Sequence, residues 1–378
     1  MEVKMLSLFC GCGGFDTGSK GGFKSNGFFF PKLPIKLEAA YDINRDCILT
    51  AQKNSSKRVS KNYVVKDVTL INWKKEKYPV DLLVAGFPCQ PFSNAGNRQG
   101  IEDKEGRGGL FQVMEHFLKS RKFKNRPRWI VLENVKGILS SKFNDAKSVP
   151  EEILCRLKRL GYMVLPPQLI KCNELGIPQQ RHRVIFIAKR KDLNFTFCFK
   201  RMAQRVHEEM FQRQTLKYVL DGVDSVEQSK DIWNLSPQAM FMAERIQRSW
   251  KDVPYDVLPH RFKKIRDQMK KYHAPNFYRR FGLHEINGTI TASAQPENCG
   301  ILHPEKNRRF SVREIARIQT FPDVFKFQFS RIDSAYKMIG NAVPPVLGWL
   351  ISAEILAAMG VEIKPISFTK KSIFTLQA

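Results

Sequence analysis

Near its start the chain reads Val3-Lys4-Met5-Leu6-Ser7-Leu8-Phe9-Cys10-Gly11-Cys12-Gly13-Gly14-Phe15, an apolar run halted by glycines. A short continuous apolar run ending in glycine predicts a buried strand followed by a turn. Strand, then Phe9-x-Gly11-x-Gly13-Gly14, then helix is an arrangement that lets a backbone approach a nucleotide closely. Taken alone, that pattern suits a nicotinamide dehydrogenase nearly as well as any other nucleotide-binding enzyme.

Further apolar runs at 35–41, 80–86, 129–132 and 184–188 predict more strands, with helices between them over 109–121 and 150–160. Strands that are apolar throughout and alternate with helices indicate an α/β fold with a mainly parallel sheet covered on both faces. In such folds ligands bind beyond the carboxyl ends of the strands. The residues that stand at those ends are chemically suggestive: Asp42, then Pro88-Cys89-Gln90-Pro91, then Glu133-Asn134. From 192 to 307 the alternation stops and the chain becomes irregular and rich in Lys, Arg, Phe and Tyr, which predicts a separate, smaller domain. Order returns at Ser311-Val312-Arg313-Glu314, whose Ser and Glu three apart predict a capping box and a new helix.

Composition narrows the classes. At 378 residues and 43% hydrophobic, the chain is globular, while a formal charge of +27 points to a polyanionic partner. The eight cysteines include no CxxC pair and no cluster with zinc-ligand spacing, so reduced thiols and no metal are expected. The first residues lack the pattern of a signal peptide. The longest apolar run, 342–359, contains Pro344, Pro345 and Glu354 and predicts a buried helix rather than a membrane span.

Cys89 lies between two prolines just past a predicted strand, in a stiff loop that displays it as a nucleophile would be displayed. An unperturbed thiol, with a pKa near ~8.5, is only a few per cent thiolate at neutral pH, so activation is required. Glu133, at the mouth of the sheet, is a candidate general acid. Arg181 and Arg183 are two apart at the opening of a strand, which places them on one face where both could reach one anion or one ring carbonyl. Asp42 suits a ribose diol. Asp67 could accept from an adenine amino group, while standing alone it reads as the cap of a turn or helix.

The ordered set FxGxGG, Asp42, Asp67, Pro88-Cys89-Gln90, Glu133-Asn134-Val135, Gln179-x-Arg181-x-Arg183, RxxSxRExxRxQxFP at 308–322 and Gly340-Asn341-Ala342-Val343-Pro344-Pro345 resembles the cytosine-5 DNA methyltransferase family, of the bacterial restriction-modification type. The resemblance covers the chain except 192–307, which in that family is a variable target-recognition domain. It implies a Rossmann-like S-adenosylmethionine-dependent methyltransferase fold, with 1–191 and 308–378 forming the catalytic domain. Two departures stand out. Ser7 takes a place where the family often has Asp, and the segment 103–111 is slightly longer than usual.

The resemblance also implies roles. Cys89 would add to C6 of a cytosine flipped out of double-stranded DNA, and Glu133 would hydrogen-bond or protonate N3. Arg181 and Arg183 would hold the base carbonyl, the adjacent phosphate or Glu133. Phe9, Gly11, Cys12, Gly13, Gly14, Asp42, Ile43, Asp67, Val68, Gly86, Pro88, Asn341 and Ala342 would surround S-adenosyl-L-methionine. Gln90, Ser93 and Arg98 would contact DNA. The expected protein is a cytoplasmic monomer held near the nucleoid by DNA, with no metal and no membrane, and with a cognate restriction endonuclease acting separately. The alternatives are a tRNA cytosine-5 methyltransferase of the same family and a catalytically silent DNA-binding relative. A dehydrogenase would leave Pro88-Cys89-Gln90-Pro91 and the Gly340–Pro345 motif unexplained.

Overall fold

A computed structural model describes residues 1–87, 110–143, 147–194, 196–268, 276–292 and 300–369. Its centre is an eight-stranded sheet built around β1 (Val3–Leu8), which pairs in parallel with β4 (Ile35–Asp42) and β6 (Leu82–Ala85). Between β1 and β4 the chain forms the small hairpin β2 (Phe23–Ser25) and β3 (Phe28–Phe30). Outside β4 lies β5 (Tyr63–Val65), and beyond β6 lies β7 (Trp129–Val135), both parallel to their neighbours.

The far side of the sheet runs the other way. The strands β8 (Tyr162–Val164), β9 (Gln168–Lys171) and β10 (His182–Arg190) follow at short intervals, and β10 pairs antiparallel with β7, β8 and β9. The sequence pattern suggested another parallel strand at 184–188. The link from β9 to β10 is too short for the crossover that a parallel pair requires, so the chain turns back as a hairpin. This reversal brings the first residues of β10 beside the last residues of β7, with Arg183 opposite Val135 and Ile185 opposite Glu133.

Strand side chains alternate between two cores. Val3, Met5, Leu82, Val84, Trp129, Val131, Ile185 and Ile187 point to one. Leu6, Leu8, Leu83, Ala85, Ile130, Leu132, Val184 and Phe186 point to the other, as the two-residue period of a strand dictates. Helices α1 (Gly14–Lys20), α2 (Arg45–Lys53), α3 (Lys57–Ser60), α4 (Leu110–Lys119) and α5 (Val149–Arg159) fill the crossovers and flanks. α5 starts with a capping box between Ser148 and Glu151.

Among the described residues of 196–307 the helices and strands are short: α6 (Phe199–Ala203), α7 (Glu209–Gln212), α8 (Leu216–Leu220), α9 (Pro237–Arg245), α10 (His260–Asp267), β11 (Arg279–Arg280) and β12 (Ile301–Leu302). A separate hydrophobic cluster runs from Ala239 to Leu302 around Trp250, Phe262, Phe277 and Tyr278. The part before it packs on the main core, where Phe197, Met202 and Met210 are buried. The chain then returns through α11 (Val312–Ile318), α12 (Ile332–Asn341) and α13 (Pro345–Ala358), after which β13 (Ser367–Phe368) pairs with β3. The capping box expected at Ser311 and Glu314 opens α11. The most apolar 18-residue window of Ile332–Ala358 is 89% buried inside the protein, and α13 packs on α1. Its Glu354 is held by Arg201 and Arg205, which fastens the start of the irregular region to the core.

Candidate active site

At the carboxyl ends of β1, β4, β6 and β7 lies a cavity of about 710 Å³, within the size range of small-molecule sites. The turn after β1 forms one wall. Gly13 caps α1 at φ 81°, in the left-handed region where glycine carries no penalty. A side chain on Gly14 would collide with the Val343 carbonyl, so glycine lets α1 sit directly on the segment after α12. The turn is gripped by the neighbouring strand end. Cys10 N–H donates to the Tyr41 carbonyl at 3.1 Å, and Gly11 N–H donates to Asp42 Oδ2 at 2.8 Å.

Asp42 Oδ1 also accepts from Asn44 N–H at 2.8 Å. Burial pushes the Asp42 carboxyl up, against the N–H groups of Asn44, Gly11 and Ile43 that favour its charged form. The carboxylate keeps acceptor capacity for a ligand hydroxyl. Beside it the Ile43 side chain is 72% exposed at the cavity edge, an apolar surface suited to a planar ring. Asp67 caps a turn and also stands at the cavity. Its Oδ1 caps the following turn through Thr69 N–H and Oγ, and the residue lines the cavity with Val68. A carboxylate for a diol, apolar walls and a second acid for an amino group fit a nucleoside-bearing cofactor.

The opposite wall carries a charged pair. Arg183 Nε lies 2.6 Å from Glu133 Oε1, each side chain only 11% exposed, and both line the cavity together with Gly86 and Phe87. Asn134 Nδ2 donates to the Phe87 carbonyl at 3.3 Å, and Phe87 packs edge-on against Phe111. The chain is thus fixed immediately before Pro88 and Cys89. Pro88, Cys89, Gln90, Ser93 and Arg98 themselves lie outside the described residues.

The profile of the family described as C-5 cytosine-specific DNA methylase matches residues 3–357. The chain belongs to that family. Among its relatives, the type II methyltransferase M.NgoPII of Neisseria gonorrhoeae is 32% identical over 372 residues, covering 93% of this chain and 95% of that protein. M.Eco47II of Escherichia coli is 31% identical over 373 residues, covering 93% and 78% respectively. Two solved structures share the fold. A putative DNA modification methyltransferase from an E. coli prophage aligns with a TM-score of 0.62 at 20% identity, covering 95% of this chain and all of that one. The S. pombe Dnmt2 methyltransferase aligns at 0.64 and 17% identity, covering 96% and 100%.

Within this methylase, not every residue expected at the site reaches it. Phe9, Gly11, Asp42, Ile43, Asp67, Val68, Gly86, Asn341 and Ala342 line the cavity, as do Glu133 and Arg183. Cys12, Gly13 and Gly14 do not; they lie behind the turn, where Cys12 Sγ packs 3.6 Å from the Met338 carbonyl. Arg181 is the larger correction. It precedes β10 rather than lying in it, and its N–H closes a turn onto the Gln179 carbonyl, so the alternation rule does not apply to it. Its guanidinium is fully buried and donates to the carbonyls of Ile290, Gly340 and Ala342.

The cavity also contains residues outside the expected set. Cys10 and Cys47 line it, Cys47 from the first turn of α2 behind the cap Asn44. Burial pushes the thiols of Cys10, Cys12 and Cys47 up, which keeps them protonated and poor nucleophiles. Asn44 as a cap before Cys47, Ile48 and Ala51 at helical spacing was the available signal for a helix start here. Ser7, the departure from the family pattern, donates to the buried Asp16 Oδ1 at 2.7 Å, tying β1 to α1.

Proposed function

We propose that this protein transfers a methyl group from S-adenosylmethionine to C5 of a cytosine in double-stranded DNA, as the modification half of a restriction-modification system. The observation that carries the reading is the buried Glu133–Arg183 pair on the wall of a nucleoside-sized cavity, in a chain of the cytosine-5 methylase family. Cytosine C5 is too weak a nucleophile to react unaided, so covalent catalysis is needed. Cys89 forms a C–S bond to C6, and the electrons of the C5=C6 bond move toward C5. Glu133, held through one oxygen by Arg183, hydrogen-bonds N3 and stabilises the charge that builds up on the ring. The bound cofactor supplies the methyl group. Loss of the C5 proton then expels the Cys89 thiolate and restores the double bond.

The base must leave the duplex to reach this wall. Residues 192–307 act as the target-recognition domain, and the net charge of +27 supports phosphate binding with steep salt dependence. Such an enzyme works in the cytoplasm beside DNA, and its cognate endonuclease acts separately. The test is to incubate mixed-sequence duplex DNA with the protein and S-adenosylmethionine, then map 5-methylcytosine. One short sequence context is expected. Methyl transfer to tRNA but not to duplex DNA would overturn the DNA assignment. Absence of a covalent adduct on DNA containing 5-fluorocytosine would favour a catalytically silent DNA-binding protein.

A further inference from the structure

Behind the cofactor cavity lies a fully buried polar junction made by Gln179, Arg181 and Gln319. It joins three parts of the chain that are far apart in sequence. The first is the end of α12, whose Asn341 and Ala342 line the cavity. Arg181 donates to the carbonyls of Gly340 and Ala342 there, at 2.8 and 3.1 Å. Gln319 Nε2, from the end of α11, donates to the carbonyls of Ile339 and Ala342.

The second part is the segment 287–291, the return from the irregular region, none of which lines the cavity. Arg181 donates to the Ile290 carbonyl at 2.9 Å, and Ile290 N–H donates to Gln179 Oε1 at 3.0 Å. Gln180 N–H donates to the Asn287 carbonyl, and Thr289 Oγ1 donates to the Gln180 carbonyl. Gly340 permits the contact from the other side, because a Cβ there would come 2.5–2.6 Å from the Thr291–Ala292 backbone. The third part is β10 itself, whose Arg183 holds Glu133 two residues further on.

A single guanidinium thus bonds both the cavity-lining turn and the recognition-side segment. Neither can shift without breaking buried hydrogen bonds, and an unsatisfied buried donor or acceptor is costly. We infer that Arg181, with Gln179 and the Gln319 side chain whose Oε1 accepts from Gln179 Nε2, is a positioning unit that couples occupation of the cofactor cavity to the order of segment 287–291. This rests on the reading of the cavity as the S-adenosylmethionine site. It places Arg181 outside substrate contact and gives it a role through Ile290 and Ala342.

Hydrogen exchange on the full chain tests it, with S-adenosylmethionine saturation set beforehand by calorimetry. Cofactor should slow exchange at the Ile290 and Gln180 amides by roughly 5-fold or more, the lower range of a coupling between sites. Strand β9, which shares β10 but not the junction, should be unaffected. In Arg181→Lys, which keeps the charge but loses the fork of donors, bound cofactor should no longer protect 287–291. Cofactor binding without slower exchange at 287–291 in the unaltered protein would overturn the inference and leave the function standing. Equal protection in Arg181→Lys, or the same slowing in β9, would overturn it too. Failure of S-adenosylmethionine to bind at all would overturn the cofactor reading, and this inference with it.

Discussion

Glu133 and Arg183 meet at 2.6 Å because β10 runs antiparallel to β7, which sets the start of one strand against the end of the other. Their positions are diagonal across the pair, two residues out of register and on the same face. The arginine therefore engages one carboxylate oxygen, and in the proposed reaction the other is left for the substrate. Glu133→Gln should lower kcat for methyl transfer by roughly 10²–10⁴-fold, the usual weight of a positioned acid–base group. Cofactor affinity by calorimetry should change little, and a parallel loss of affinity would assign Glu133 to binding instead.

Asp42 organises the opposite wall, accepting from Gly11 and Asn44 while facing the cavity. Asp42→Ala should weaken S-adenosylmethionine binding by about 1.5–3 kcal/mol, as expected when hydrogen bonds to a charged group are lost. Calorimetric titration measures this directly. An unchanged Kd would place the cofactor elsewhere in the cavity.

Beneath the turn, burial raises the Asp16 carboxyl to about 6, against the Ser7 hydrogen bond and the nearby Lys20 and Tyr63 that favour ionisation. Between the unfolded value near ~3.9 and this folded value, the native state holds a proton that the unfolded chain has lost. The contribution is complete below that window and disappears as pH rises through about 6. Asp16→Asn keeps an acceptor for Ser7 and has no charge to bury. At pH ~8 it should be more stable than the parent by roughly 1–3 kcal/mol in urea unfolding, with the gain shrinking toward pH ~4.

Glu314 shows the opposite behaviour. Burial alone would raise its carboxyl, but two bonds from Arg308, with His303 and the Ser311 N–H, hold it at about 2. This stabilisation is whole above the ordinary glutamate value and is lost as pH falls toward about 2. Glu314→Gln should cost about 3 kcal/mol, the low end for breaking a buried pair, and should flatten the acid limb of the stability curve. Chemical unfolding at pH ~3 and ~7 separates the two effects.

Much of this was legible in local sequence. The apolar run 3–8 and its glycine stop identify the central strand and the turn that walls the cavity, because a strand buried on both faces needs no polar alternation. The Ser311–Glu314 spacing marked the start of α11 by capping chemistry alone. Asp42 and Glu133 were found as acids next to apolar runs, and both line the cavity. Arg181 and Arg183 were not separable in this way. Two arginines two apart share a face only if both lie within the strand, and β10 begins between them at His182.

Local sequence, then, determined the strands, the turn and the chemical groups at the strand ends, since these depend on apolar periodicity and on residue type. The tertiary structure alone decided the direction of β10, and with it which carboxylate Arg183 meets. It also sent Arg181 away from the cavity to the carbonyls of Ile290, Gly340 and Ala342, 109 to 161 residues distant along the chain. No local pattern encodes partners that far off. They are set by which buried carbonyls lack donors once the sheet, α12 and the returning segment have packed together.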